Sequence, residues 1–337
     1  MKAQHSHRKA ILVIRLGAMG DILHALPAVA SLKKRFPGHS LAWLISRKWL
    51  PLVAGNPSID ELVPFGRNGF GALRDARRTL RSLRPEIAID FQGLLQSALA
   101  GRAAHPARFF GFDRSVAREP IAVRLYTDRI PVTGPHRIER NLQLAAAAGA
   151  SHLVEDSWLE ETWVEGTWIP EGVPEAGLPV GPFVLASPFA GWASKQWPTE
   201  FYDQLGCILE REGLQLVLNV SPDQAALVGS FRNVIAHSSS LSGLIYATRR
   251  AEAVLGVDSG PLHLAAALKK PGVALFGPTD PAQTGPFKSP MAVLREADTA
   301  TTYKRGRKVH ASMASISVEQ VAKALLTSLT AVTADGL

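Results

Sequence analysis

Three loops of the sequence carry residues that could bind a phosphate group or accept a proton. The first is LGAMGDILHALPA, in which Gly17 and Gly20 bracket a turn and Asp21 stands at the start of a helix. Asp at this position often caps a helix, but a carboxylate aimed at a substrate could also accept a proton from an attacking hydroxyl. The loop has neither the G-x-G-x-x-G spacing nor the Lys-Ser/Thr of a P-loop, which disfavours nicotinamide and ATP sites.

The second loop is SPFAGWASKQWP, residues 187–198, with Lys195 near the start of a helix. Backbone N–H groups in such a turn, together with one lysine, would form a cradle for a diphosphate. A lysine in the first turn opposes the helix dipole, which favours a functional role. The alternative, a solvated lysine at a helix start, stays open.

The third loop is VDSGPLHLAAALKKPGVALFGPTDP, in which Asp258, Ser259 and Gly260 precede a helix and His263 follows one turn later. The N–H groups of Ser259 and Gly260 would face a phosphate at the positive end of the helix. A capped helix with a chance histidine is the alternative.

Other chemistries find no support in the residue spacing. The histidines show no metal-ligand spacing with a carboxylate or with the single cysteine, Cys207, so no metal site is predicted. Ser259 lacks the G-x-S-x-G context of a hydrolase nucleophile. No cofactor is expected.

All three loops follow apolar segments that read as buried strands. AILVIRLG leads into the first loop, and further strands are predicted at 41–46, 61–65 and 86–93, with helical periodicity between them. A second alternation begins with FVLASP at residue 183. Alternating strands and helices predict an α/β protein with doubly wound parallel sheets. Ligands of such sheets bind beyond the carboxyl ends of the strands, where the three loops lie.

The length of 337 residues favours two domains over one large core. The segment before residue 183 is rich in Gly, Pro and acidic residues and has no sustained periodicity. We therefore predict an N-terminal Rossmann-like domain over 1–160, a linker at about 161–182 and a C-terminal Rossmann-like domain over 183–337. A terminal helix over about 318–329 could return to the first domain.

The net charge of +8 biases the protein towards anionic partners. Nucleic acid is not expected, because the sequence has no zinc-finger spacing and no aromatic-glycine RNA-binding motif. The apolar stretch behind MKAQHSHRK is too short for a signal peptide, and no run approaches the roughly 20 apolar residues of a membrane span. A cytoplasmic protein is expected, with peripheral contact to the anionic inner face of the inner membrane.

The three loops, in this order, resemble those of the lipopolysaccharide heptosyltransferases, glycosyltransferase family 9, and the resemblance covers nearly the whole chain. It rests on the motifs MGDILHALPA, DFQGLLQSAL, GFDRSVAREP, SKQWP, DSGPLHLAAAL and FGPTDP. The segments around Gln92-Gly93 and Arg118-Glu119-Pro120 are similar to those of the enzymes that add the first heptose.

The resemblance implies a GT-B fold, with two Rossmann-like domains facing across a cleft. The N-terminal domain would bind the acceptor, a Kdo residue of lipid A, and the C-terminal domain would bind ADP-heptose. Transfer would invert the anomeric carbon, without a bound metal. Asp21 matches the family's proposed base, and the residues matched to acceptor binding are Gly20, Arg67 and Arg118. Those matched to donor binding are Lys195, Asp223, Asp258, Ser259, Gly260 and His263.

Three other functions stay open at this point. The first is a transferase of the same fold that uses another nucleotide sugar or another core acceptor, such as a second-heptose enzyme. The second is a non-catalytic protein that binds sugar nucleotides, which would bind donor without turnover. The third is a nucleotide-sugar epimerase, which would convert donor with no acceptor present.

Overall fold

The computed structural model describes residues 9–66, 69–150, 168–221, 224–229 and 231–334. The chain divides into two compact units, Met1–Pro170 and Glu171–Leu337. In the described residues each unit contains one six-stranded parallel sheet with helices between the strands. The α/β class predicted from the alternating pattern is therefore confirmed.

The sheet of the first unit has the order β3-β2-β1-β4-β5-β6, the doubly wound order of Rossmann folds. Its strands are β1 (Ala10–Ile14), β2 (Ser40–Ser46), β3 (Glu61–Phe65), β4 (Ile87–Asp90), β5 (Arg108–Phe112) and β6 (Asp128–Ile130). The central strand β1 is buried along its whole length, as expected for a run of apolar residues covered on both faces.

The helices of the first unit are α1 (Met19–Leu23), α2 (Leu26–Arg35), α3 (Leu50–Val53), α4 (Gly69–Leu83), α5 (Leu95–Arg102) and α6 (Arg137–Ala147). Helix α2 has a proline in its first turn, where a backbone N–H would have no partner within the helix. Its last turn has three basic residues, which suit the negative end of the helix dipole. Helix α6 begins at the cap His136, whose Nδ1 accepts the N–H of Ile138 at 3.1 Å. Helices α4, α5 and α6 pack against strands of the sheet, and α2 packs against α6.

The second unit repeats the same topology, with the order β12-β11-β10-β7-β8-β9. Its strands are β7 (Phe183–Ser187), β8 (Gln215–Asn219), β9 (Ile235–His237), β10 (Ala253–Val257), β11 (Gly272–Phe276) and β12 (Met291–Arg295). Its helices are α7 (Thr199–Arg211), α8 (Ala225–Val228), α9 (Leu241–Arg250), α10 (Gly260–Ala267), α11 (Pro281–Thr284), α12 (Ala311–Ala314) and α13 (Val318–Ala334). The central strands β7 and β10 are buried throughout.

The terminal helix α13 packs in the second unit. Its side chains Val321 and Leu325 are fully buried in the core that also contains Trp197 and Tyr202. The sequence left open a return of this helix to the first domain, but the helix is part of the core of the second unit. No helix in the described part of the chain is long and apolar enough to cross a membrane.

Part of the segment predicted as a linker, 161–182, belongs to the second unit, which begins at Glu171. There the N–H of Val173 donates to the carbonyl of Ser242 at 3.1 Å, which ties the segment to helix α9. Residues 151–167 lie outside the described residues.

Gly101 illustrates how closely helix α5 approaches the first sheet. A Cβ atom at this position would lie 2.5 Å from Phe109 Cζ and 2.6 Å from Ile14 Cδ1, both in the buried core. We expect Gly101→Ala to lower the free energy of unfolding by about 1–3 kcal/mol, as overpacking does. Gly38→Ala is the control, because no heavy atom would lie within 4 Å of its Cβ. Equal urea midpoints for the two variants would contradict this prediction.

Candidate active site

Asp21 lies in the short helix α1, just after the carboxyl end of β1, and is 9% exposed. The N–H of Ala18, the residue before the helix, is 3.4 Å from Asp21 Oδ2. This contact supports the helix start, so the structural interpretation of Asp21 as a capping residue holds in part. Gly20, predicted to bind acceptor, is its buried neighbour in the same helix.

Three guanidinium groups surround the Asp21 carboxylate. Arg15 Nη2 lies 2.5 Å and Arg118 Nη2 3.1 Å from Oδ2, and Arg137 Nη1 lies 2.5 Å from Oδ1. Burial alone would raise the pKa of Asp21, but the charges of Arg15, Arg137 and Arg118 outweigh it and hold that pKa far below its usual range. The carboxylate is therefore ionised at neutral pH.

Arg15 is held in place from a second side. Its Nη1 also donates to the carbonyl of Phe91. Next to it, the N–H of Leu16 donates to Gln92 Oε1 at 3.0 Å. The turn after β4 therefore fixes the backbone and the arginine that follow β1.

The side chain of Asp90 stabilises the turn after β4. Its carboxylate is fully buried and accepts the N–H of Gln92, the hydroxyl of Ser97 and the phenol of Tyr126, each at 2.8 Å. Burial raises the pKa of Asp90, and these hydrogen bonds oppose the rise. The DFQG motif is thus a structural anchor for the residues around Asp21.

A cavity of about 390 Å³ opens beside Ala18, at the carboxyl ends of β1 to β4. Its lining includes Trp49, Phe65, Lys48 and Gln92. Lys48 Nζ lies 4.5 Å from the centre of the Trp49 ring. Apolar rings with a few polar groups are typical of small-ligand sites, and this combination suits a sugar.

The second unit contains an ion pair between a buried carboxylate and a partly buried lysine. Lys195 Nζ lies 2.6 Å from Asp258 Oδ2. On the other carboxylate oxygen, Oδ1, His263 Nε2 lies at 3.6 Å and the hydroxyl of Thr284 donates at 3.3 Å. Burial would raise the pKa of Asp258, but the contact with His263 and the charge of Lys195 lower it well below its usual range.

The sheet explains why these distant residues meet. Strands β7 and β10 are neighbours in parallel register, with Val184 opposite Ala253. Lys195 lies in the turn after β7, Asp258 follows β10, and Ser259 and Gly260 start helix α10. The structure therefore brings together the predicted donor residues of both loops, including His263. The remaining predicted contacts, Arg67 and Asp223, lie outside the described residues.

Sequence reasoning missed two of the three arginines on Asp21 and two neighbours of Lys195. Arg15 interrupts an apolar strand, which was a detectable signal, whereas Arg137 stands 116 positions from Asp21 and gave none. In the second unit the ring of Trp192 has Lys195 Nζ at 4.3 Å and Arg305 Cζ at 5.6 Å from its centre. Both distances are within the range of cation–π contacts.

No group of three or more His, Cys, Asp or Glu side chains within the described ranges is placed to hold a metal ion. Near Asp258, Lys195 supplies positive charge, and Arg305 contacts the same Trp192 ring as Lys195.

The Lys195–Asp258 pair predicts acid-sensitive stability. Because the pKa of Asp258 is lowered in the fold, the pair stabilises the protein fully above the unfolded carboxyl pKa of about 3.9, and this contribution is lost as the pH falls below that value. We expect Asp258→Asn to lower the urea midpoint at pH 7 and to flatten its decline between pH 5 and pH 3. Parallel pH profiles for the variant and the wild type would contradict this.

Solved structures share this fold. E. coli heptosyltransferase WaaC with ADP-2-deoxy-2-fluoro heptose aligns with a TM-score of 0.71 at 23% identity, over 93% of this chain and 98% of that chain. E. coli ADP-heptose lps heptosyltransferase II aligns with a TM-score of 0.75 at 23% identity, over 96% and 99%. These alignments confirm the predicted GT-B fold class.

Sequence comparison gives the family. Lipopolysaccharide heptosyltransferase 1 of Pseudomonas aeruginosa is 29% identical over 303 residues, which cover 82% of this chain and 81% of that protein. The sequence pattern of glycosyltransferase family 9 (heptosyltransferase) matches residues 73–312, well over half of the chain. The chain therefore belongs to glycosyltransferase family 9, the heptosyltransferases, as its motifs predicted.

Proposed function

We propose that this glycosyltransferase moves heptose from ADP-heptose to a Kdo residue of lipid A, the first heptose transfer of lipopolysaccharide inner-core synthesis. The observation that carries the donor assignment is the ion pair between Lys195 and the buried Asp258, beside the start of helix α10. The names of the similar proteins, heptosyltransferase 1 of P. aeruginosa and E. coli WaaC with an ADP-heptose analogue, support the choice of sugar.

The donor diphosphate would bind where positive charge collects in the second unit. Lys195 supplies an ammonium group, and the N–H groups of Ser259 and Gly260 supply the positive end of helix α10. Asp258 orients Lys195, and His263 contributes a further polar contact. These groups would stabilise the negative charge that grows on the departing diphosphate, so the proposal requires no metal and no further cofactor.

The acceptor hydroxyl would react at Asp21. The oxygen of the acceptor hydroxyl forms a bond to the anomeric carbon of the donor while the bond from that carbon to the diphosphate breaks. This single displacement inverts the anomeric carbon. The hydroxyl proton passes to Asp21. The cavity beside Ala18, with Trp49 and Phe65 in its lining, would hold the acceptor sugar, and Arg118 would bind acceptor as predicted.

A second-heptose enzyme is the alternative within the family, since E. coli heptosyltransferase II shares the fold. Two acceptors separate the assignments: Kdo-lipid A, and the same molecule already carrying one heptose. We expect product only from the first, and product only from the second would reject our acceptor. Family membership favours transfer over the non-catalytic and epimerase alternatives. Conversion of ADP-heptose without acceptor would reverse that preference.

We also propose a cytoplasmic protein that contacts the anionic inner face of the inner membrane, where a lipid acceptor lies. Support comes from the net charge of +8 and from an exposed basic segment of the second unit, Lys304 to Lys308. Such binding weakens with salt, because it depends on charge. Co-sedimentation with vesicles that is independent of anionic lipid and of salt would reject it.

A further inference from the structure

The charges around Asp21 do not balance. Among the described residues, one carboxylate meets the three guanidinium groups of Arg15, Arg118 and Arg137, and His24 adds a further favourable interaction with Asp21 when protonated. Arg15 is buried, whereas the side chains of Arg118 and Arg137 are partly exposed, so an anion from solution could reach those two. The excess of positive charge beside Asp21 is suited to binding an anionic ligand.

The three arginines differ in exposure, and therefore in how easily they could bind an anionic ligand. The Arg15 side chain is 7% exposed and also donates to the carbonyl of Phe91, so it is fixed. Arg118 and Arg137 are 44% and 35% exposed, and they approach Asp21 from outside helix α1, one from the loop after β5 and one from the first turn of α6. These two can turn towards a ligand while Arg15 stays on Asp21.

The present contacts also limit what Asp21 can do. A carboxylate used as a base needs a lone pair directed at the acceptor hydroxyl. Oδ2 already faces Arg15 and Arg118, and Oδ1 faces Arg137 at 2.5 Å. Turning Arg118 and Arg137 away would leave room for a hydroxyl and would raise the proton affinity of Asp21.

We propose that Arg137 is a specificity-determining residue for an acidic acceptor sugar. When such an acceptor binds, Arg137 and Arg118 leave the Asp21 carboxylate and bind the carboxylate of the sugar instead. The planar guanidinium group matches a carboxylate in two-pronged geometry. The sugar that carries the reacting hydroxyl must lie beside Asp21, so its own carboxylate is the anion nearest to these arginines. An acidic acceptor thereby frees Asp21 to accept the proton of the acceptor hydroxyl. A neutral acceptor leaves Asp21 paired with Arg118 and Arg137.

This proposal rests on the proposed function, because it requires Asp21 to act on an acidic acceptor. The test measures kcat/KM with two acceptors, Kdo-lipid A and its analogue in which the Kdo carboxylate is a carboxamide. Both acceptors keep the phosphates of lipid A, so binding of a phosphate by Arg137 would give no difference between them. The proteins are the wild type, Arg137→Ala and Arg137→Lys.

We expect Arg137→Ala to lower kcat/KM for the carboxylate acceptor by about 10-fold or more, the loss typical of a charge-assisted hydrogen bond. Transfer to the carboxamide should not fall, since in the wild type Arg137 stays on Asp21 when the acceptor is neutral. Arg137→Lys should retain part of the wild-type kcat/KM, because lysine keeps the positive charge but lacks the planar group that donates two hydrogen bonds to a carboxylate.

The control is Arg129→Ala, which removes the same charge from an exposed position on the edge strand β6 and should leave both acceptors unchanged. A parallel fall for both acceptors in Arg137→Ala would show a merely structural role and overturn the proposal, as would no fall for either. If the wild type transfers heptose to neither acceptor but still binds ADP-heptose, the proposed acceptor fails, and this inference fails with it.

Discussion

Asp21→Asn is expected to lower kcat by about 10²-fold or more, the usual contribution of a general base. Asparagine has nearly the same shape but cannot accept the hydroxyl proton. Donor affinity should change little, because the residues proposed to bind the diphosphate belong to the other unit of the chain. The measurement is a single-turnover assay at saturating donor and acceptor, with ADP binding measured in parallel.

The same change also removes the negative charge from among three guanidinium groups, so stability must be measured beside activity. Breaking a buried ion pair costs about 3–5 kcal/mol, and the urea midpoint of Asp21→Asn should fall. Assays are therefore run where circular dichroism shows the variant to be folded. A folded Asp21→Asn protein with wild-type turnover would eliminate Asp21 as the base.

Lys195→Met should have the second largest effect, a fall in kcat of about 10²- to 10³-fold. This is the typical cost of removing one group that stabilises the charge developing in a transition state. ADP affinity should fall as well, because Lys195 is the partly buried ammonium group of the proposed diphosphate site. The change leaves Asp258 without its ion-pair partner, so the double variant Lys195→Met/Asp258→Asn should recover part of any lost stability but not the activity.

A matched control for this lysine is Lys323→Met, which removes the same charge from an exposed position on helix α13. It should keep both ADP affinity and turnover. If Lys195→Met binds ADP as tightly as this control and turns over at the same rate, the diphosphate site lies elsewhere.

The strands next to the site were predictable, because a short run of apolar residues in the sequence is enough to indicate each of them. The run ELVPF was predicted as a strand at 61–65 and forms β3 over the same residues. The strand predicted at 86–93 ends earlier, at Asp90, because the Asp90 side chain accepts the N–H groups of Gln92 and Gly93 and turns the chain. A side chain that bonds its own backbone in this way is difficult to distinguish from a continuing strand by periodicity alone.

The meeting of Lys195 and Asp258 was predictable only in part. Both follow predicted strands, and loops at the carboxyl ends of one parallel sheet share an edge. That β7 and β10 are neighbours, however, depends on the strand order, which the sequence pattern does not show. The contact of Arg137 with Asp21 depends on tertiary packing in the same way, because helix α6 lies far along the chain.

Heptose transfer itself can be measured by mass-spectrometric detection of product from ADP-heptose and Kdo-lipid A, with purified protein in EDTA. We expect the wild type to form a product heavier by one heptose, and Asp21→Asn to form none. Absence of product from the wild type, with ADP-heptose still bound, would contradict the proposed acceptor. Product formed only when a divalent metal is restored would contradict the metal-free mechanism.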